Sequence, residues 1–204
     1  MYVANAFRQS AEEAWRIVEE APFALVVSHG MDGLRASHTP ILRDGENGLI
    51  GHLAKANPQW RDLDGARAMC VFSGVHTHIS PTWYATSPAV PTWDYVAAQL
   101  SGTVELVKDA EGTGELLEKL SERFESDSGW RFSDQPETFR TSMLRGVVAF
   151  RMTVETIEVS HKLSQNRSEA DRRGVVEGLR ARASGDDLAI AERIEAGLGK
   201  TISP

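Results

Sequence analysis

The sequence predicts an α+β protein, mainly β, built on an antiparallel β-barrel with peripheral and C-terminal helices. Short β-type runs follow one another across turns that are too short for crossover connections, which favours antiparallel pairing. A later long run alternates apolar and polar residues, and other segments repeat apolar residues at helical spacing. Closing about six or more such strands into a barrel would remove their exposed edges.

The first elements are a helix, three strands and a further helix start. Ser10 and Glu13 have the spacing of a capping box, which predicts a helix that continues to Glu20. Glycine-containing turns separate the next apolar runs and predict hairpins. These strands are predicted at 23–28, 34–42 and 49–53. Asn57 before Pro58 predicts a helix start, because asparagine caps helices and proline suits the first helical position.

The second half continues the barrel and adds helices. Further strands are predicted at 68–75 and 147–159, and the run 93–107 is predicted to form one or two strands. Helices are predicted at 115–124 and 137–144. Gly102 marks a bulge or a close approach of two backbones, and a break in the alternation near Thr156 predicts a bend. We expect the run 68–75 to be buried on both faces. From Ser168 the chain is helical and highly charged, so we divide it into a barrel domain, 1–167, and a helical extension, 168–204.

Composition excludes several classes of function. Lys and Arg number 22 against 29 Asp and Glu, and the net charge of −7 argues against a broad nucleic-acid surface. No run approaches the ~18 apolar residues that cross a bilayer, and the first residues lack a signal-peptide pattern, so we expect a cytoplasmic protein without membrane contact. The one cysteine, Cys70, lies in an apolar run, which favours a core residue over a nucleophile.

The segment 51–60 combines a histidine and a lysine with a strand-to-helix junction. Free backbone N–H groups and the positive end of a helix dipole at Asn57, together with His52 and Lys55, would suit a phosphate. The alternative is a solvated lysine beside a packed histidine. Neither GxxxxGK[ST] nor GxGxxG is present, so any nucleotide would be held by another kind of fold.

Three further segments carry aromatic and polar groups. His76 and His78 would share one face of a strand, but two imidazoles need further ligands and no metal site is predicted. The segment 90–95 brings rings near a proline turn, and 161–167 carries cations and amides. Such groups suit a planar heterocycle with a phosphate, and the alternative is an aromatic core cluster with a helix cap.

Taken in order, these motifs resemble the PaiB family of FMN-binding negative transcriptional regulators. The resemblance runs from residue 1 to about residue 179 and rests on the segments 36–42, 51–60, 76–84, 90–95 and 162–167. It implies an FMN-binding split β-barrel related to pyridoxamine-phosphate oxidase-like flavoproteins. It also implies a homodimer that holds FMN at the interface of its two subunits.

The resemblance further implies which residues hold FMN. It places the phosphate near His52, Lys55 and Asn57, and the ring near the segment 38–41. The remaining residues would complete the pocket, some of them from the partner subunit. The full predicted set is His38, Pro40, Ile41, His52, Leu53, Lys55, Asn57, Trp83, Lys162, Gln165, Asn166 and Arg167.

Asp94 stands where the family has an asparagine. A carboxylate in a flavin groove would repel the phosphate or a reduced anionic ring, whereas an outward-facing carboxylate would change nothing.

The sequence leaves the function open between classes. The resemblance implies negative transcriptional regulation, while the same groove could serve a flavin-dependent oxidoreductase that acts on a small molecule. A third alternative is an interaction dimer without cofactor. No pattern assigns a catalytic residue, so enzyme activity stays open. Acidic residues alternate with the arginines after Ser168, so we expect at most weak direct binding to DNA. These arginines are Arg172, Arg173, Arg180 and Arg182.

Overall fold

The computed structural model describes residues 1–199, which fall into two compact units. The barrel unit contains 18–72 and 99–157, and the terminal unit contains 1–17, 73–98 and the chain from 158 onward.

Six strands within residues 1–199 form a closed barrel in the order β1-β2-β3-β6-β5-β4. They are β1 Phe23–Gly30, β2 Gly33–Asp44, β3 Gly48–Ala54, β4 Arg67–Ile79, β5 Thr92–Leu106 and β6 Val147–Lys162. Strand β1 pairs antiparallel with β2 and β4, placing Val26 opposite both Ser37 and Cys70. Strand β3 pairs antiparallel with β2 and β6. The predicted antiparallel barrel is confirmed, and the last three strands continue along the chain into the terminal unit.

The predicted helices are confirmed with small changes at their ends. They are α1 Ala11–Glu20, α2 Ala110–Phe124, α3 Glu137–Gly146, α4 Glu169–Arg182 and α5 Asp187–Ala196. Helix α2 begins five residues earlier than predicted, because the Asp109 carboxylate accepts a hydrogen bond from Gly112 N at 2.7 Å and caps the helix there. No helix within residues 1–199 is long and apolar enough to cross a membrane.

The barrel core is formed by one face of each strand. Strand β4 alternates buried and partly exposed residues, with Cys70 and Phe72 inside, so the prediction that it is buried on both faces is wrong. Gln59 is also buried, and its Nε2 donates to Val26 O at 3.1 Å and to Ser28 Oγ at 3.0 Å. A Cβ at Gly102 would overlap a carbonyl oxygen of β6, which confirms the close backbone approach predicted there.

The terminal unit has its own core, in which α4 and α5 contribute most of the apolar side chains. Ser168 caps α4, since its Oγ accepts from Asp171 N at 3.1 Å. Buried Asp187, at the start of α5, accepts from Thr77 Oγ1 at 2.6 Å and from Arg182 Nη2 at 2.5 Å. The domain boundary between 167 and 168 stays a prediction, and residues 200–204 of the predicted extension lie outside the described residues.

Candidate functional site

The end of β3 holds an exposed lysine in a defined corner of the barrel unit. Lys55 Nζ lies 4.2 Å from the centre of the Trp60 ring, and Trp60 Nε1 donates to Lys55 O at 2.9 Å. The Asn57 side chain donates to Ser37 Oγ at 2.7 Å and so ties this corner to β2. The corner therefore presents the charged Lys55 side chain on a backbone that hydrogen bonds hold in place.

The predicted helix start, with Asn57 as the cap and Pro58 as the first helical residue, is confirmed, but the helix is of the 3₁₀ type. It is a 3₁₀ helix of five residues, Pro58–Asp62, and Gln59 N donates to the Asn57 carboxamide oxygen at 3.0 Å. A short 3₁₀ helix adds little dipole, and this N–H is already bonded. A helix dipole therefore contributes little here, and the placement of a phosphate at this segment stays a prediction. The cations at this corner are Lys55 and Arg61, whose guanidinium carbon lies 5.7 Å from the centre of the Trp60 ring.

His52 presents a neutral ring beside an apolar cavity. Burial lowers the pKa of the imidazole below its ordinary value, and Nδ1 is buried with no hydrogen-bond partner in the described part of the chain. The ring borders the cavity together with side chains of α2 and α3. His52 can exchange a hydrogen bond with a ligand, but it brings no charge to a phosphate at neutral pH.

The residues predicted to contact a flavin ring divide between two faces of β2. His38 is exposed and stacks on Phe23, with ring centres 5.6 Å apart, and partly buried Pro40 shares its face because side chains two apart in a strand point the same way. Ile41 lies on the opposite face and is completely buried. Leu53 of β3 is also in the core. His38 and Pro40 can therefore meet a ligand with their side chains, whereas Ile41 and Leu53 can do so only with backbone atoms.

Trp83, in the terminal unit, packs against α4. A Cβ at Gly178 would overlap the Trp83 ring, so the glycine permits this close packing. The Arg182 guanidinium carbon lies 4.9 Å from the ring centre. Most of the Trp83 ring is therefore used in holding α4.

Two predicted cations lie where β6 ends. Lys162 Nζ donates to Trp93 O at 2.5 Å and also to Thr92 Oγ1. The Arg167 guanidinium carbon lies 4.5 Å from the centre of the Tyr84 ring, a cation–π contact. Both side chains are partly exposed, so each is oriented by a partner and still open to solvent.

The loop between these cations is held by its own side chains. Gln165 Oε1 accepts from Leu163 N at 2.6 Å, and Gln165 Nε2 donates to Ala6 O at 3.1 Å. Asn166 is exposed at the tip of the loop. Ser164 has φ of 55°, in the left-handed region that most side chains avoid, and a second contact holds it there.

That contact is with Asp94, which is neither outward-facing nor aimed at an open groove. Asp94 is 0% exposed and accepts a hydrogen bond from Ser164 Oγ at 2.6 Å. Burial raises its pKa to about 6, and Ser164, Lys162 and Arg167 partly oppose that rise. The structure thus makes Asp94 an internal anchor for the loop. Sequence reasoning missed Ser164, because only the fold brings it to Asp94.

His76 and His78 flank an aromatic ring. Their ring centres lie 6.2 and 6.0 Å from that of Trp93. Within residues 1–199 no group of three or more His, Cys, Asp or Glu side chains could hold a metal ion.

Comparison with known proteins identifies the family. A family model described as "Putative FMN-binding domain" matches residues 1–156. A Bacillus subtilis protein named "Protease synthase and sporulation protein PAI 2" is 34% identical over 210 residues, covering 99% of this chain and 100% of that relative. The chain belongs to the PaiB family. The predicted membership of this family is therefore confirmed. The residues predicted to hold FMN stay a prediction.

Other relatives and solved structures extend the comparison. An Emericella nidulans protein is 27% identical over 188 residues, covering 72% of this chain and 75% of that relative. The flavocytochrome Anf3 from Azotobacter vinelandii has a TM-score of 0.62 at 14% identity, covering 78% of this chain and 72% of that chain. An FAD and heme binding protein from Mycobacterium smegmatis has a TM-score of 0.59 at 19% identity, covering 75% and 71%. These structures share the fold, and the predicted split-barrel class is confirmed.

Proposed function

We propose that this PaiB-family protein binds FMN and that Lys55 holds the flavin phosphate. The observation that carries the proposal is the corner at the end of β3, where an exposed Lys55 lies over Trp60 beside strand β2. A lysine ammonium is a compact charge that pairs well with phosphate. Membership of a family described by FMN binding supports the same ligand.

The flavin ring is proposed to lie against the exposed face of β2. His38 offers a flat ring stacked on Phe23, and Pro40 offers a rigid apolar surface on the same face. His52 is neutral, so it would donate or accept a hydrogen bond without adding charge. The hydrogen bond from Asn57 to Ser37 fixes the phosphate end relative to the ring end.

We further propose that the protein works as a cytoplasmic homodimer. In that dimer Lys162 and Arg167 would meet the flavin bound by the partner subunit, and Trp83, Gln165 and Asn166 would support them. The oriented, partly exposed cations at the end of β6 support this assignment. Sedimentation of the FMN complex as a monomer at micromolar concentration would contradict it.

The proposed biological role is negative transcriptional regulation. The Bacillus subtilis relative is named for a protease synthase and for sporulation, and the family resemblance implies this regulatory role. The arginines of α4 are already paired, as in the contacts of Arg173 with Glu169 at 2.6 Å and of Arg180 with Glu195 at 2.7 Å. They leave little free positive charge for phosphates, so regulation would proceed with weak direct DNA contact.

The flavin site is tested by titrating the purified protein with FMN and with riboflavin, following flavin fluorescence. Lys55→Ala removes one charge-assisted contact, so FMN should bind about 10-fold or more weakly than to the wild type. Lys119→Ala is the matched control, since Lys119 is an exposed lysine of the same unit that pairs with Asp44. Equal affinity for FMN and riboflavin, or unchanged FMN affinity in Lys55→Ala, would overturn the proposal.

The same complex separates regulation from catalysis. Sustained oxidation of NADH or NADPH by the FMN-loaded protein, with oxygen or a small molecule as acceptor, would favour a flavin-dependent oxidoreductase. Bound flavin that neither is reduced nor turns over would favour the regulatory role.

A further inference from the structure

The barrel unit contains an apolar cavity of which the proposed flavin site uses only His52. Its volume is about 370 Å³, and it lies among β3, β6, α2, α3 and the segment that joins the two helices. Aromatic and apolar side chains supply most of its wall. They include Phe124, Trp130, Phe132, Phe139 and Met143, with the neutral ring of His52 as a polar group among them.

The wall of this cavity is fastened from its outer side. Arg131 Nη1 donates to Glu122 Oε1 at 3.0 Å, and Ser133 N donates to Glu118 Oε2 at 2.7 Å. These two residues alternate with Trp130 and Phe132, so Arg131 and Ser133 bind α2 while their aromatic neighbours line the cavity. The cavity is therefore held open by hydrogen bonds and an ion pair.

The apolar wall remains partly exposed in this state. Phe139 is 44% and Met143 is 40% exposed, although both line the cavity. Covering such side chains with an apolar ligand stabilises a complex by roughly 25 cal/mol per Å² of buried surface. The cavity also offers the unpartnered Nδ1 of His52, which needs a hydrogen-bonding group from whatever enters.

Size and charge narrow the class of ligand. An apolar cavity of about 150 Å³ suffices for benzene, so one of this size holds about two to three fused rings. Glu125 is the acidic residue on the wall and disfavours an anion. Aromatic walls favour a flat molecule over a branched aliphatic one.

We propose that this cavity is a binding site for an uncharged, fused-ring aromatic small molecule that carries a polar group facing His52. The site shares His52 with the proposed flavin site, but none of its other wall residues is proposed to hold FMN. It gives the protein a second small-molecule ligand, through a pocket that lies wholly in the barrel unit.

The experiment uses the uncharged naphthalene dye prodan as the probe, because its emission shifts to shorter wavelength in an apolar site. Prodan should bind the full-length protein saturably, and anilinonaphthalene sulfonate, an anion, should bind at least 10-fold more weakly. Met143→Arg should weaken prodan at least 10-fold. Met31→Arg is the matched control, since Met31 is an exposed methionine of the same unit that does not line the cavity.

Phe139→Ser provides a second variant, and each variant is checked by circular dichroism before titration. Prodan affinity that is unchanged in both cavity variants would overturn the proposal. Displacement of prodan by FMN would assign the cavity to the flavin ring and would overturn a separate site. Failure of prodan to bind, with a smaller sedimentation coefficient for Met143→Arg, would show that a second copy of the chain covers the cavity.

Retention of prodan binding in Lys55→Ala separates this inference from the flavin proposal. The variant should bind FMN weakly and prodan normally. Equal loss of both ligands would contradict two separate sites.

Discussion

Replacing Asp94 with asparagine should remove a pH dependence that the buried carboxyl imposes on stability. Asp94 is completely buried, and burial raises its pKa from 3.8 to about 6 against the opposing effects of Ser164, Lys162 and Arg167. Asparagine has nearly the same shape and keeps an oxygen that accepts the hydrogen bond from Ser164 Oγ. It carries no proton to gain or lose in this range.

The direction of this pH dependence follows from the protons that the folded and unfolded states bind. Between pH 3.8 and about 6 the folded protein keeps the Asp94 proton while the unfolded chain has released it, so stability falls as pH rises through this window. A rise of about two pKa units corresponds to about 3 kcal/mol, present in full at low pH and lost above pH 6. About 2 kcal/mol of this change falls between pH 4.5 and 7.

The assay is urea unfolding of the wild type and of Asp94→Asn at pH 4.5 and 7. The free energy of unfolding of the variant minus that of the wild type should increase by about 2 kcal/mol from pH 4.5 to pH 7, because only the wild type loses stability. Other carboxyl groups titrate equally in both proteins and cancel in the difference. Asp127→Asn, at an exposed position, should show no such change. A difference between Asp94→Asn and the wild type that stays constant with pH would refute the reasoning.

Two further pairs of substitutions test the packing of the two units, one pair in each unit. Gly102→Ala would push a methyl group into a β6 carbonyl oxygen and should destabilise the protein by about 2 kcal/mol or more, whereas Gly146→Ala, which meets open space, should change stability by less than about 0.5 kcal/mol. Thermal unfolding of both variants checks this pair, and equal melting temperatures would contradict it. Arg182→Ala should cost about 3 kcal/mol because it strands the buried carboxylate of Asp187, whose pKa the guanidinium holds well below its usual range. Arg180→Ala, which breaks an exposed pair, should cost at most about 1 kcal/mol, and similar urea midpoints for the two arginine variants would disprove the distinction.

The local parts of the fold could be predicted because local residues determine them. Glycine turns and alternating side chains fixed the strands β1 to β3, and the capping pair Ser10 and Glu13 marked α1. Gly102 could be recognised because a glycine within a strand usually signals a close neighbour. The assignment of Ile41 to the core also follows from its alternation with Pro40, although family position had placed both beside the ring.

The features that could not be predicted depend on contacts between residues that are distant in the sequence. Asp94 and Ser164 are 70 positions apart, so no local pattern reveals that one anchors the other. His52 acquires its apolar surroundings from α2 and α3, which follow it by many residues. The helix after Asn57 was predicted to run through Asp62 or Leu63, and only its 3₁₀ type could not be predicted, because the capping signals are the same for both helix types.

A crystal structure of the protein grown with FMN tests the central claim most directly. We predict that the flavin phosphate lies about 3 Å from Lys55 Nζ, the distance of a charged hydrogen bond, with the ring against the face of β2 that carries His38 and Pro40. Density for the phosphate at any other part of the chain, with Lys55 still in contact with the Trp60 ring, would contradict the proposal that Lys55 binds the flavin phosphate.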